Sequence, residues 1–491
     1  MMTALDNAGL TKRALAALLV SLLALLTVAG CGSDGGNDGG GQQAGIEGTG
    51  IVSGFGSVYI DGVEFETDAA QIVFVGEPVT ESRLSPGDLV TVVGTVDAAG
   101  QARATRIVYE RTLDGPIDQI ETDGDTGTLV ALGQTVEFDS DTVFVNAPAE
   151  ELAAGDLIAV SGFTQTDNRV HAQSIRRSET GFVPNNSTLE IEGTVDSIEA
   201  TRLRVGDQTI DFANAQIRPD RSALVVGSRI EAFGTRAESP DAPMIASRLN
   251  VSVFKQPPAG RQMLVGAQIR DYVDQSDFVA GGWRMDADDA QRLDNLASEL
   301  SNGMYISARG VFENGRVKAR TVRVEPPANA MLKADIDTID TTAGTITLLG
   351  RRIDVRDDTR YIERRENGDR SLRIGTLVRG DTIRVQLYID ADKATVRSLE
   401  RLPAGTSNAA VSGQVMQFER NDNTATIVVA GVTAELADDT TVYRDTEGDE
   451  IDADSFFARV ENGRRVRLSG PQNGERISIV RSARLLRDTS K

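Results

Sequence analysis

The sequence predicts an all-β protein, a tandem array of six small five-stranded OB-like barrels that follows a signal peptide and a glycine-rich tether. Three observations lead to this fold class. An eight-residue frame recurs six times along the 491 residues, with glycine first, a β-branched apolar residue fourth and usually glycine eighth. Stretches of alternating apolar and polar residues surround each frame, as in half-buried strands. An uncharged apolar run stands near the start of the chain.

The frame sets the length of the repeat. Its first glycines are Gly87, Gly155, Gly227, Gly303, Gly380 and Gly463, about 70 to 80 residues apart. This spacing is too long for a solenoid unit and suits a small domain with its own core. The predicted modules, numbered 1 to 6, are residues 46–112, 113–185, 187–256, 261–327, 331–402 and 409–487.

Residues 1–30 are predicted to be a lipoprotein signal peptide. Lys12 and Arg13 precede the apolar run, which is the order of charge and apolarity in an export signal. The run ends LTVAGC, which resembles the bacterial lipobox, and its last residue, Cys31, is the only cysteine in the chain. The alternatives are a plain signal peptide or a short membrane anchor, although the run is short for a membrane span. Cys31 is therefore the predicted lipidation site.

Residues 31–45 are predicted to form a flexible tether, because they are rich in glycine and have almost no apolar side chain to bury. Gly32 follows Cys31 where an aspartate often marks retention in the inner membrane. This favours the outer membrane as the location of the anchor.

Within each module the same patterns return in the same order. A first strand is followed by a hairpin, a variable segment, the frame as fourth strand and a final strand. The hairpin turns are predicted at Gly62, Gly133, Gly206, Gly282, Gly350 and Gly431, because tight turns need positive φ. Glycines inside the first and fourth strands predict the bends at which a small barrel closes. In the variable segment of module 4, Leu293, Leu296 and Leu300 predict a helix.

The lipobox, the tether and the frame, seen as GDLV from Gly87 and GDLI from Gly155, resemble bacterial lipoproteins built of tandem domains of unknown function. The resemblance implies a small OB-like barrel in each repeat and no assigned activity. It covers modules 1 to 3 and 5. Modules 4 and 6 depart from the pattern, with Met304 and Arg464 in place of the aspartate after the first glycine.

The composition excludes most common sites of chemistry. The net charge of -22 repels polyphosphate, so no nucleic acid partner is expected. The single histidine, His171, lies between Val170 and Ala172 and is predicted to face solvent. One histidine and one cysteine do not suffice for an ordinary zinc site, and a Ser-His-Asp triad would depend on His171. We predict no catalytic residue, no metal site and no cofactor, although composition leaves a pair of carboxylates for glycoside hydrolysis open.

Module 4 contains the candidate ligand-stacking residues. OB-type barrels commonly bind single strands or oligosaccharides on the face of strands two and three. Aromatic residues make up only 5% of the chain, and Trp283, Tyr272 and Phe278 are clustered in this module. The alternative is that these rings belong to the core.

Two functions follow from these observations. The first is a non-catalytic cell-envelope lipoprotein, attached to the membrane through lipid on Cys31, whose barrels act as a spacer or protein-interaction scaffold. The second is an envelope protein that binds oligosaccharides on its barrel faces. Envelope proteins or glycans are the expected partners. Linkers at 325–329 and 403–406 predict semi-independent modules, although such short joints could also pack closely.

Overall fold

The structure is a computed structural model that describes residues 43–165, 169–252, 256–294, 299–405 and 408–487. The predicted signal peptide, Cys31 and most of the predicted tether lie outside these ranges. The secondary structure of the described residues consists almost entirely of strands, which confirms the all-β class.

The strands of the first three modules are numbered in chain order. In module 1, β1 to β7 are Ala44–Gly54, Val58–Ile60, Val63–Glu66, Gln71–Phe74, Glu77–Val79, Leu89–Val96 and Ala102–Glu110. In module 2, β8 to β13 are Leu113–Asp123, Thr126–Ala131, Gln134–Phe138, Val143–Val145, Leu157–Thr164 and Val170–Arg177. In module 3, β14 to β20 are Leu189–Thr194, Ser197–Glu199, Arg202–Val205, Gln208–Asp211, Gln216–Arg218, Arg229–Thr235 and Met244–Val251.

The second half of the chain continues the numbering. In module 4, β21 to β26 are Gln262–Asp274, Asp277–Ala280, Trp283–Asp286, Gln291–Arg292, Tyr305–Glu313 and Arg316–Glu325. In module 5, β27 to β32 are Ala330–Asp340, Thr345–Leu348, Arg351–Asp354, Arg360–Glu363, Thr382–Asp390 and Lys393–Arg401. In module 6, β33 to β41 are Ala409–Asn421, Thr424–Val429, Val432–Ala437, Val442–Arg444, Glu450–Ile451, Arg465–Gly470, Gln472–Asn473, Arg476–Ile477 and Ser482–Leu485.

The helical segments found among the described residues are short. The 3-10 helices are Glu81–Arg83, Ala149–Glu151, Arg221–Ala223 and Ile374–Thr376, and the α-helix, α1, is Ala453–Phe457 in module 6. The helix predicted for module 4 is not found among the described residues of that segment. Gln291–Arg292 instead pairs with β26, so its backbone hydrogen bonds go to a ladder. Leu296 lies outside the described residues.

Three modules are closed five-stranded barrels. In module 1 the ring runs β1, β2, β3, β7, β6 and back to β1, and only the pairing of β3 with β7 is parallel. The same ring closes in module 2 through β8, β9, β10, β13 and β12. It closes in module 4 through β21, β22, β23, β26 and β25. This order is the Greek-key connectivity of an OB-like barrel.

The ring is less complete in the other modules. In module 5 the step from β29 to β32 is a single residue pair, Asp354 with Thr395. In module 3 the first strand is interrupted between β14 and β15, and in module 6 the last strand is divided into β40 and β41. Six fully closed barrels are therefore not found among the described strands, because these three rings contain irregular backbone.

The first glycine of every frame has the same backbone role. Its φ lies between 85° and 93° in all six modules. Its N–H donates to a carbonyl of the first strand, as from Gly87 to Val52 and from Gly155 to Ile117, each at 2.8 Å. Asp88 and Asp156, which follow these glycines, accept hydrogen bonds from backbone N–H groups three residues earlier. The recurrent Gly-Asp pair thus shapes the entry to the fourth strand.

The last glycine of the frame lies at a β-bulge. The register between the fourth and final strands shifts at Gly94, Gly162, Gly234 and Gly310. A β-carbon at these positions would lie 2.1 to 2.3 Å from a carbonyl oxygen of the final strand. These glycines therefore permit the bends that the barrel requires.

Alanine at Gly87 is expected to destabilise the protein more than alanine at Gly155. Both glycines have nearly the same φ, 91° and 92°, so both substitutions store backbone strain of about 1 to 3 kcal/mol. A β-carbon at Gly87 would also lie 2.7 Å from the carbonyl oxygen of Gln173 in module 2, whereas nothing lies within 4 Å at Gly155. We expect a further loss of about 1 to 3 kcal/mol for Gly87→Ala, measured by urea unfolding. Equal losses would contradict a tight contact between modules 1 and 2.

Strand pairing crosses the borders between modules. β1 pairs in parallel with β21 and joins modules 1 and 4. β8 pairs with β14 to join modules 2 and 3, and β27 pairs with β33 to join modules 5 and 6. The result is three sheets of 13, 13 and 15 strands. The modules are therefore closely packed rather than semi-independent, because their long first strands each serve two modules.

Neighbouring modules also share core side chains. Leu132 of module 2 lies in the core of module 3, and Leu264 of module 4 lies in the core of module 1. Modules 5 and 6 form one continuous core. Pairing therefore buries apolar surface that a single module of this size could not bury alone.

Candidate functional site

The residue before the hairpin-turn glycine occupies a special position in modules 1, 2 and 5. Leu132 in module 2 and Leu349 in module 5 are buried there, with φ of 47° and 48°. In module 1 the same position holds Asp61, with φ of 46° and 8% exposure. A carboxyl group thus replaces a buried leucine. Burial of a carboxyl group is costly, so this position is a candidate for function.

Asp61 is held between modules 1 and 4. The hydroxyl of Tyr305 donates to Asp61 Oδ1 at 2.7 Å, and the N–H of Ile51 donates to the same oxygen at 3.4 Å. Two glycines leave room for the other oxygen. A β-carbon would lie 2.3 Å from Asp61 Oδ2 at Gly50 and 1.4 Å from it at Gly266. The two first strands are thus shaped around this carboxyl group.

Asp61 lines a cavity of about 750 Å³ at the junction of modules 1, 2, 4 and 5. Its buried wall includes the charged residues Asp61, Asp141, Glu325, Asp358, Arg360 and Arg397. Exposed lining residues, Asn302, Gly303 and Asp390, mark the side open to solvent. This volume lies within the range of about 300 to 1,000 Å³ that small-molecule sites occupy.

Two ion pairs connect the walls of the cavity across module borders. Arg397 Nη1 of module 5 lies 2.9 Å from Glu325 Oε2 of module 4. Arg360 Nη2 of module 5 lies 3.6 Å from Asp141 Oδ1 of module 2. The N–H of Ala328, in the linker after module 4, donates to Asp141 Oδ2 at 2.9 Å. The linker is therefore part of the junction and not a free hinge.

His171 also lines this cavity: it points out of its barrel, as the burial of Val170 and Ala172 requires, but it is half-buried rather than fully open to solvent. Its Nε2 lies 3.2 Å from Asp139 Oδ2, and its Nδ1 lies 3.1 Å from Gln173 Nε2. Burial on its own would lower the pKa of His171, but the hydrogen bond and the charge of Asp139 outweigh burial and raise this pKa. The imidazole is half-buried because β10 runs beside β13 and brings Asp139 close to it.

The charge state of Asp61 is set mainly by burial. Burial and the neighbouring Glu325 carboxylate raise the pKa of Asp61 to about 8, against the opposing effect of the Tyr305 hydrogen bond. Burial also raises the pKa of Glu325, although the charge of Arg397 acts against it. Asp61 therefore keeps its proton at neutral pH, since a low-dielectric site disfavours the charged form.

Several buried polar atoms of the cavity wall have no hydrogen-bond partner among the described residues. They are Asp61 Oδ2, Asp141 Oδ1, Glu325 Oε1, Arg360 Nη1 and Arg397 Nε. Most buried polar atoms in folded proteins have such partners. The residues that carry these carboxyl oxygens and guanidinium N–H groups all line the cavity, and the cavity is the candidate binding site of this protein.

The aromatic residues proposed for ligand stacking lie elsewhere. Phe278 is 0% and Trp283 is 8% exposed, and both belong to the core of module 4. Tyr272 is half-buried and packs against this core, with its ring centroid 6.0 Å from that of Phe278. The core alternative therefore describes Phe278 and Trp283, since a buried ring face cannot stack on a ligand, whereas Tyr272 remains partly exposed at the edge of this core.

The residues of the cavity wall were not identified from the sequence. Asp61, Glu325 and Arg397 belong to three different modules and fit ordinary strand or turn patterns. One signal was available: the position before the turn glycine holds leucine in modules 2 and 5 but aspartate in module 1. The functional importance of this aspartate could be recognised only from the way modules 1 and 4 pair, and local sequence patterns do not show that pairing.

Within the described ranges, no group of three or more His, Cys, Asp or Glu side chains is arranged to hold a metal ion. None of the helices described there has the length and apolarity needed to cross a membrane.

Comparison with known proteins gives a family match for part of the chain. Residues 48–108, 114–176, 192–248 and 335–396 match DUF5666, a domain of unknown function. No curated protein matches the chain. Among solved structures, drosophila Unr CSD456 is 11% identical over 47% of this chain and 98% of its own, with a TM-score of 0.18. A tetra-tandem repeat in the extending region of a large adhesion protein is 12% identical over 90% of this chain and 98% of its own, with a TM-score of 0.09.

These TM-scores are too low for either structure to support an argument about fold or function. The family match is more informative, because its four segments fall in modules 1, 2, 3 and 5. The resemblance to tandem domains of unknown function is confirmed for these modules. The chain therefore contains four tandem DUF5666 domains within an all-β array of barrel modules.

Proposed function

We propose that this protein is a non-catalytic lipoprotein of the bacterial cell envelope, whose barrel array acts as a spacer or protein-interaction scaffold. The pairing of first strands across module borders carries this proposal, because a scaffold must hold its surfaces in fixed relative positions. The repeated frame residues shape the backbone, and they do not provide a set of reactive side chains common to the modules. With a net charge of -22, the array is expected to avoid nucleic acid.

Further contacts support a fixed arrangement of the modules. Ser174 of module 2 donates to Asp88 of module 1 at 2.8 Å. Arg484 of module 6 lies 3.2 Å from Asp123 of module 2. The guanidinium of Arg370 in module 5 lies 3.8 Å from the ring centroid of Phe55 in module 1. These contacts join different sheets to one another, so the three sheets support one scaffold.

The lipid anchor is proposed to be attached to Cys31, with the outer membrane as its location. Replacement of Cys31 by serine is expected to abolish incorporation of a palmitate analogue and to move the protein out of the membrane fraction. Fractionation of cells that express each form measures both effects. An unlabelled wild-type protein, or a Cys31→Ser variant that stays membrane-bound, would contradict the anchor.

The scaffold function is tested by cross-linking in living cells. We expect the tagged wild-type protein to capture defined envelope proteins, and Cys31→Ser at equal abundance to lose them because it leaves the membrane. Mass spectrometry of both captured samples provides the comparison. Recovery of the same proteins with both forms, or of none with wild type, would count against a membrane-bound scaffold.

Glycan binding on the barrel faces was the second function predicted from the sequence. It relied on Trp283 as a stacking platform, and this ring is buried. We therefore do not propose a barrel-face glycan site.

A further inference from the structure

The cavity between modules 1, 2, 4 and 5 combines features that the scaffold function does not use. Asp61 is buried where Leu132 and Leu349 complete the turns of modules 2 and 5. A leucine would satisfy packing without the cost of a buried carboxyl group. Gly50 and Gly266 moreover leave space for this carboxyl group. The polar wall is therefore a built feature of the junction.

We propose that this cavity binds a small neutral polyhydroxylated ligand such as a disaccharide. Residues that line the cavity carry atoms without a hydrogen-bond partner, both an acceptor, Glu325 Oε1, and a donor, Arg360 Nη1. A hydroxyl group both donates and accepts a hydrogen bond, so neighbouring hydroxyls satisfy both kinds of atom. The inference does not depend on the lipid anchor or on the scaffold function.

The balance of charge favours a neutral ligand over an ion. Glu325 pairs with Arg397, and Asp141 lies beside Arg360. An ionic ligand would bring a new charge into a wall whose main charges already have partners, and it would lose hydration. The ion-paired groups instead act as fixed hydrogen-bond donors and acceptors, which are stronger than neutral ones.

The protonated form of Asp61 fits the same chemistry. Its pKa is raised to about 8, so the group is neutral at pH 7. Since Tyr305 donates to Oδ1, we assign the proton to Oδ2. Asp61 would then donate to a ligand hydroxyl. Met304, Pro326 and Tyr388 supply apolar surface beside the polar wall, as small-molecule sites commonly do.

Isothermal titration calorimetry on the full chain at pH 7 tests this proposal. The probes are three neutral disaccharides, maltose, cellobiose and N,N′-diacetylchitobiose, and the diamine putrescine. We expect at least one disaccharide to bind with one site per chain and putrescine not to bind. Tighter binding of putrescine than of any disaccharide, or no heat from all three disaccharides, would overturn the proposal.

Variants at Asp61 assign the binding to this cavity. Asp61→Leu introduces the residue that modules 2 and 5 carry at this turn, and it is expected to weaken binding at least 10-fold. Asp61→Asn keeps a donor and an acceptor and is expected to change affinity less than 3-fold. Asp68→Asn, at an exposed position in module 1, is the control and should bind as wild type does. Undiminished affinity in Asp61→Leu would overturn the assignment.

A second variant tests the site without changing the buried hydrogen bonds of Asp61. Tyr388 lines the cavity at a half-buried position, so Tyr388→Ala should fold even if Asp61→Leu does not. We expect it to weaken disaccharide binding several-fold by removing apolar contact. Unchanged affinity in Tyr388→Ala, with circular dichroism as for wild type, would place the ligand elsewhere and overturn the proposal.

Discussion

Replacement of Arg236 by alanine is expected to destabilise the protein by about 3 to 5 kcal/mol, because it leaves a buried carboxylate without its partner. The Arg236 side chain is 1% exposed, and its Nη2 donates to Asp118 Oδ1 at 2.7 Å. Asp118 belongs to β8 of module 2, whereas Arg236 follows β19 of module 3. Urea unfolding followed by circular dichroism measures the loss.

A double variant separates charge burial from packing in this prediction. Arg236→Met combined with Asp118→Leu removes both charges and keeps apolar volume, so it should recover most of the lost stability. The exposed pair of Arg204 and Asp207 is the matched control, with side chains 50% and 90% exposed. Arg204→Ala should cost no more than about 1 kcal/mol. A double variant as unstable as Arg236→Ala would contradict the charge explanation.

The stability advantage of Asp61→Asn over wild type is expected to grow with pH between about 4 and about 8. The pKa of Asp61 is raised from 3.8 to about 8 in the folded protein. Between these values the folded chain holds a proton that the unfolded chain has released. Each unit of pH then lowers the stability of wild type by up to about 1.4 kcal/mol through this group, and asparagine has no such proton.

Comparison of unfolding curves at pH 5, 6, 7 and 8 tests this pH dependence. Burial also raises the pKa of Asp88 to about 6 and that of Glu110 to about 7. The pH dependence of the free energy of unfolding of wild type therefore includes contributions from several groups. The difference between wild type and Asp61→Asn isolates the contribution of Asp61. Asp68→Asn should follow wild type in parallel. Parallel curves for wild type and Asp61→Asn would show that Asp61 does not hold its proton in the folded state.

Much of the fold within a module could be predicted from the sequence. The first frame glycines, such as Gly87, have φ near 90°, and the turn glycines, such as Gly62, also have positive φ. These requirements act on one or two residues at a time, so they leave a direct mark in the sequence. Leu387 replaces the last frame glycine of module 5, yet the ladder still bulges beside it. The bulge therefore tolerates a side chain at that module.

The candidate site could not be predicted in this way. Asp61, Asp141, Glu325 and Arg360 come from four modules, and each alone resembles an ordinary polar residue of a strand or turn. Trp283 attracted attention because large aromatic residues are rare in this chain, but the barrel of module 4 uses it as core. The rarity of a residue type therefore identifies a binding residue less well than the burial and contacts of that residue in the folded protein.

The sequence by itself determined the all-β class, the repeat and the position of its turns, because positive φ and alternating burial are local demands on particular residues. Only the tertiary structure decided which first strands pair and that four modules enclose a polar cavity. All the modules present a similar first strand, so the choice of partner depends on surfaces such as Gly48, where a β-carbon would lie 2.4 Å from the carbonyl oxygen of Leu264. Contacts of this kind join residues far apart in the chain, and no local pattern specifies them.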